Sequence, residues 1–155
     1  MSRIRRFRLL FILGPSLGVF LIGCSLPKII IQKDPLTPEE HLNLGVAYEK
    51  SGELDHAVAE YRLAARKLPL AYLYIGNAYF QKNEWVEAER YYRKAIEKDP
   101  KNADAHNNLA WLYCIKRKNL DLAESLALKA IDLDPSRGHI YKDTLEKIKE
   151  LLRSP

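Results

Sequence analysis

Apolar positions recur at helical spacing through most of the chain, and the pattern is plainest near its end. Ile140, Tyr141, Leu145, Ile148 and Leu151 fall on one face of a helix, while Lys142, Glu146, Lys147, Lys149 and Glu150 fall on the other. The same rhythm, broken at short polar or proline-containing turns, predicts seven helices: 38–50, 54–67, 70–82, 84–98, 102–116, 120–133 and 138–152. Thr37, Pro38 and Glu40 give the first of them a capping-box start with proline at the first helical position. The predicted fold class is all-α.

Within those helices a small residue, a tyrosine, two alanines and a proline recur in fixed order. They are Gly45, Tyr48, Ala57, Ala64 and Pro69; then Gly76, Tyr79, Ala88, Ala95 and Pro100; then Ala110, Tyr113, Ala123, Ala130 and Pro135. This order resembles the tetratricopeptide (TPR) repeat W-x2-L-G-x2-Y…A-x3-F…P. The resemblance implies a helical-hairpin solenoid of three repeats, about 38–69, 70–100 and 101–135, within a domain spanning 37–153. Close crossing of two helices in each repeat calls for the small residue on the first, and Ala57, Ala88 and Ala123 are expected opposite it. The aromatic of the second helix is Tyr61 and Tyr92, becoming Ala127 in the third unit. His41, Tyr72 and His106 stand where the pattern has tryptophan. Leu145 and Glu146 occupy the place of a fourth small residue, so the helix at 138–152 reads as a capping helix that keeps the solenoid soluble.

Spacing between units is uneven. Gly45 to Gly76 is 31 positions, Gly76 to Ala110 is 34, and Pro100 to Pro135 is 35. A tight first junction around Leu68 to Ala71 is predicted, with one added residue in the Lys116 to Leu120 turn.

Residues 1–23 have another character. Arg3, Arg5, Arg6 and Arg8 precede an apolar run from Leu9 to Ile22, which is shorter than the ~20 residues needed to span a bilayer. The ending Leu21, Ile22, Gly23, Cys24 resembles the bacterial lipobox. What that resemblance implies is a lipoprotein signal peptide cleaved before Cys24, diacylglycerol and palmitate-type acylation at Cys24, and a stable membrane anchor. Ser25 after the cysteine implies the periplasmic face of the outer membrane if the source is a diderm bacterium. An uncleaved short anchor is the alternative. Residues 24–36 form the lipidated cysteine and a tether, and Lys28, Ile29, Ile30 and Ile31 make that tether unusually apolar. It can hold the solenoid off the membrane, lie in its groove or pair with a partner strand.

The signal also explains the charge. The whole chain carries +5, four arginines of which lie in residues 1–23, leaving +1 from Cys24 onward. No basic stripe for nucleic acid follows from that. With Cys24 lipidated, Cys114 is left single and reads as a small buried hydrophobe. His41 and His106 read as replacements for the tryptophan rather than metal ligands, and the carboxylates show no acid/base arrangement. Neither a cofactor nor an enzymatic activity is expected.

The TPR resemblance instead implies binding in a concave groove lined by the first helices. Carried over residue by residue, the groove positions are Leu42, Val46 and Glu49, then Leu73, Asn77 and Phe80, then Asn107, Trp111, Cys114 and Ile115. That set is mainly apolar and aromatic. It lacks the basic and asparagine set with which some TPR domains clamp a C-terminal carboxylate. The expected partner is an amphipathic helix or extended apolar segment of another protein. By analogy with small TPR lipoproteins, the expected role is a membrane-anchored periplasmic scaffold in assembly of an envelope complex, whether pilus secretin, outer-membrane or peptidoglycan machinery. The alternative is a constitutive subunit of a larger envelope complex with its groove filled internally.

Overall fold

The structure, a computed structural model, describes residues 34–153. Its helices are α1 (Pro38–Lys50), α2 (Leu54–Ala64), α3 (Ala71–Gln81), α4 (Trp85–Lys98), α5 (Ala103–Lys116), α6 (Leu120–Leu133) and α7 (Gly138–Arg153), with a 3₁₀ turn at Pro135–Arg137. The signal segment, Cys24 and the tether as far as residue 33 lie outside the described residues. α1, α3 and α5 pack on α2, α4 and α6 as three hairpins, successive hairpins stack, and α7 covers α6 and α5. Contacts between successive elements dominate, as in a solenoid.

Local chemistry sets the boundaries. The Thr37 hydroxyl accepts from the Glu40 amide at 3.2 Å, and the Glu40 carboxylate accepts from the Thr37 amide at 2.7 Å. That reciprocal pair satisfies two donors at the start of α1. All three first helices end alike. Gly52, Asn83 and Arg117 take left-handed backbones, with φ of 81°, 59° and 46°. The next residue's amide then donates back to the helix tyrosine: Glu53 to Tyr48 at 2.9 Å, Glu84 to Tyr79 at 2.9 Å and Lys118 to Tyr113 at 3.0 Å. This is a Schellman ending, and only the first of the three has glycine to relieve it. The added residue of the third unit falls right after it, where Asn119 also takes a positive φ of 52°.

At the first junction the missing residues shorten α2 itself. It stops at Ala64, three residues sooner than the apolar pattern predicts, because the Lys67 and Leu68 amides both turn back to the Ala64 carbonyl, at 3.1 and 2.9 Å. The chain then passes through Pro69 and enters α3 with Ala71 donating to Leu68 at 3.1 Å.

The close crossing has a different partner from the one expected. A Cβ on Gly45 would stand 2.5 Å from Tyr61 Cδ1, and one on Gly76 would stand 2.5 Å from Tyr92 Cδ1. The glycines make room for tyrosine rings, whereas Ala57, Ala88 and Ala123 are simply buried in the same core. The third repeat agrees with this reading: its aromatic is Ala127, fully buried, and there the small residue has grown to Ala110. Tyr61, Tyr92, Tyr113, Ile75, Leu112 and Ile148 are the largest fully buried side chains of the main core, and Leu145 and Ile148 bring α7 into it.

A second repeated contact ties neighbouring units. Arg62 of α2 donates to the Tyr79 hydroxyl of the next unit at 2.7 Å, and Arg93 of α4 donates to Tyr113 at 2.6 Å. The third unit has Leu128 at the same place, 45% exposed, and α7 has Ile148 where the repeat register would put the next tyrosine.

Candidate concave binding surface

α1, α3 and α5 contribute side chains to a cavity of about 270 Å³ lined by Glu49, Asn77, Phe80, Gln81, Tyr92, Asn108 and Trp111. Its floor is a hydrogen-bonded layer. Tyr61 donates its hydroxyl to Glu49 at 2.5 Å, and Gln81 donates its amide to the other oxygen of the same carboxylate at 2.5 Å. Tyr92 donates to Asn77 Oδ1 at 3.0 Å, and Asn108 Nδ2 donates to the same oxygen at 2.9 Å. The two ring hydroxyls that end on the groove belong to the tyrosines packed against Gly45 and Gly76, so the close crossing also builds the floor. Burial and the Glu49 carboxylate hold the Tyr61 hydroxyl far above its ordinary pKa, and burial does the same for Tyr92. Both remain donors across the physiological range.

Phe80 and Trp111 form the rim. Phe80 is backed, outside the cavity, by Trp85, edge to face with centroids 5.1 Å apart. Trp111 is 38% exposed and also lines a second cavity, of about 400 Å³, with Asn107, Asp143, Thr144 and Lys147. One indole therefore separates two concavities, the second of which leans on the capping helix α7.

Of the ten groove positions expected from the repeat register, Glu49, Asn77, Phe80 and Trp111 line the first cavity and Asn107 the second. Leu73 and Cys114 do not reach the surface: they are 6% and 3% exposed and sit in the core. Burial also pushes the Cys114 thiol above its ordinary pKa, which makes it an inert hydrophobe at neutral pH. Leu42 and Val46 are half-buried and pack against the core. Ile115 is 44% exposed but lines neither cavity. The groove is consequently more polar than the mainly apolar surface expected, because Leu42, Val46 and Leu73 turn toward the core and Ile115 lies outside both cavities. Gln81, Asn108, Asp143, Thr144 and Lys147 were outside the expected set. Gln81 lies one turn after Asn77, and Asn108 adjoins Asn107, so helical spacing carried a signal for both. The α7 residues carry none, since the polar face of a capping helix, Lys147 included, reads as solvent-exposed.

The two histidines are more than tryptophan substitutes. His41, 5% exposed, has Nδ1 at 2.6 Å from Glu60 and Nε2 at 3.0 Å from Asp34. The Glu60 hydrogen bond, with Asp34 beside it, raises the His41 pKa against the opposing effect of burial. His106 donates Nε2–H to the Pro100 carbonyl at 3.0 Å. Among the described residues no group of three or more His, Cys, Asp or Glu side chains is placed to hold a metal ion, and no helix is long and apolar enough to cross a membrane.

Comparison with known proteins agrees with the repeats. A TPR-repeat family model matches residues 76–114, and a tetratricopeptide-repeat model matches 41–66 and 103–137. The human protein O-mannosyl-transferase TMTC2 is 32% identical over 102 residues, which cover 62% of this chain but 12% of that protein. The chain thus spans about an eighth of that relative's length. Among solved structures, the first TPR of Spaghetti (RPAP3), bound to the HSP90 peptide SRMEEVD, aligns with a TM-score of 0.69 at 20% identity, covering 80% of this chain and 99% of that one. The TPR2B domain of yeast Sti1, in a complex with pHsp70, aligns with a TM-score of 0.67 at 22% identity, covering 73% and 96%. Residues 34–153 are, by sequence pattern and by fold, a solenoid of tetratricopeptide repeats closed by a capping helix.

Proposed function

We propose that this chain is a lipid-anchored adaptor of a bacterial envelope that holds an extended segment of a partner protein in the groove between α1 and α5. The observation that carries the binding reading is the cavity itself. Three first helices place amides, a carboxylate and two aromatic side chains on one concave surface. Asn77, Gln81 and Asn108 suit a peptide main chain, while Phe80 and Trp111 offer apolar burial to its side chains. No lysine or arginine lines that cavity. An acidic chaperone tail such as the HSP90 peptide in the Spaghetti complex therefore lacks a counter-charge here, and a neutral or basic segment fits better. TPR folds are typically non-catalytic interaction domains, and the same role is proposed for this one, in assembly of an envelope complex.

Anchoring rests on the Leu21 to Cys24 sequence. Cys24→Ser is expected to abolish lipid labelling and signal cleavage, because a hydroxyl does not replace the thiolate in diacylglyceryl transfer; normal maturation of that variant with palmitate label would refute the anchor. For the groove, photo-crosslinkers at positions 77 and 111 are expected to capture one and the same protein in cells. A crosslinker at position 87, on α4, serves as the control. Capture from 87 and none from 77 or 111 would refute the groove.

A second reading, a constitutive subunit of a larger complex, is favoured by exposed Leu122 and Leu128 on α6 and Ile140 on α7. It predicts that the purified chain aggregates at those positions and that Leu128→Arg restores solubility.

A further inference from the structure

The second cavity carries chemistry of its own. Asn107 is 9% exposed, lines this cavity, and its Oδ1 is buried without a hydrogen-bond partner among the described residues. A buried acceptor without a partner is destabilising, and the terminal torsion of asparagine is soft enough to swing it toward a donor in the cavity. Trp111, one turn further along α5, presents an indole to the same space. Across from them α7 brings Asp143, which no cation among the described residues pairs. Lys147 also lines the cavity, but its ammonium is held by Glu150 at 2.6 Å.

An unpaired carboxylate, an unsatisfied amide oxygen and an aromatic face form one donor-seeking set. A guanidinium is the side-chain group that matches all three: it can pair with Asp143, donate to Asn107 once that oxygen swings into the cavity, and stack on Trp111. We infer that the cavity between α5 and α7 is a subsite for a basic side chain, arginine above lysine, of the peptide bound in the adjoining groove. This rests on the groove reading and adds the partner's chemistry: an arginine set beside the segment that runs over Asn77. Trp111 is the shared wall, so a peptide crossing it reaches both cavities. The preference is opposite in sign to that expected for an acidic tail.

The test uses the full chain in detergent micelles, with indole N–H resonances as the readout. Trp85 lines neither cavity and serves as an internal control. N-acetyl-arginine amide is expected to titrate the Trp111 indole and leave Trp85 in place, at least tenfold more tightly than N-acetyl-norleucine amide. Asp143→Asn, on the exposed side of α7, is expected to weaken the arginine probe at least fivefold with no change in melting temperature; Asn107→Ala weakens it similarly. Equal affinity for the arginine and norleucine probes, tighter binding of N-acetyl-glutamate amide, no titration at all, or indifference to Asp143→Asn each overturns the inference. Crosslinking from position 77 in Asp143→Asn cells separates the two readings. Capture at the unsubstituted level leaves the groove standing without its basic subsite, whereas failure of position 77 in the unsubstituted chain removes the groove itself.

Discussion

The first two repeats and the third meet the same packing problem with different pairs. In the first two, glycine faces tyrosine, Gly45 with Tyr61 and Gly76 with Tyr92; in the third, alanine and alanine stand at the same places, Ala110 and Ala127. The ring decides what its partner can be: opposite a tyrosine there is no room for a Cβ, and where the ring is absent the small residue carries one. The difference also reaches the groove. Tyr61 and Tyr92 send hydroxyls to Glu49 and Asn77, so the floor of the first two units is hydrogen-bonded. The third unit supplies no such hydroxyl, and Asn107 Oδ1 on its first helix is left without a partner among the described residues. On the proposed reading, the satisfied floor positions a main chain and the unsatisfied amide selects a donor.

The largest effect expected is that of removing a ring from the first kind of pair. Tyr92→Ala should cost about 3–5 kcal/mol in thermal or denaturant unfolding, as for other buried aromatic truncations. Adding Gly76→Ala to it rebuilds the pair of the third repeat, so the double variant should be more stable than Tyr92→Ala alone. A double variant less stable than either single one would break the pairing argument. Gly76→Ala by itself should cost about 1–3 kcal/mol, since the new Cβ enters the Tyr92 ring. In the third repeat the sign reverses. Ala110→Gly should cost about 1 kcal/mol, because there the glycine only loosens the helix.

Smaller effects sharpen the comparison at the turns and at the amino-terminal end. Arg117 holds the left-handed position that Gly52 fills in the first unit, at a cost of about 1 kcal/mol for a side chain with a Cβ. Arg117→Gly should therefore raise the melting temperature, and a fall would contradict the Schellman assignment. At His41 the folded pKa is raised, chiefly by the Glu60 hydrogen bond. Its stabilisation is complete below the unfolded value of 6.5 and is lost as pH rises through the raised folded value. The stability of the unsubstituted chain should fall across that window relative to His41→Gln, and parallel pH profiles for the two would remove the Asp34–His41–Glu60 link from the account.

Much of this fold could be read from residue spacing, because small residues, prolines and helical periodicity act locally. The seven helices, the capping box at Thr37 and the odd spacing at the first junction all follow from neighbours within a turn or two. What spacing did not carry were contacts between repeats. The ring opposite each glycine lies 16 positions on, and the Arg62–Tyr79 and Arg93–Tyr113 ties reach across unit boundaries. At the groove, register fixed which helices face inward but not how far each side chain stands from solvent. Hence Leu73 and Cys114, expected at the surface, are buried, while Gln81, Asn108 and the α7 residues line the cavities without a place in that register. Polar side chains on a buried-looking face were the signal that apolar periodicity passes over.

The central claim is that the concave surface around Trp111 holds a partner, and one substitution read in two ways tests it most directly. Trp111 is 38% exposed and outside the core, so Trp111→Ala should move the melting temperature little. The same substitution removes about 1.5–3 kcal/mol of apolar burial from a bound segment. Partner capture from a crosslinker at position 77 should then weaken at least tenfold, a factor that corresponds to about 1.4 kcal/mol. A large fall in melting temperature with undiminished capture would make Trp111 a structural residue and contradict the claim.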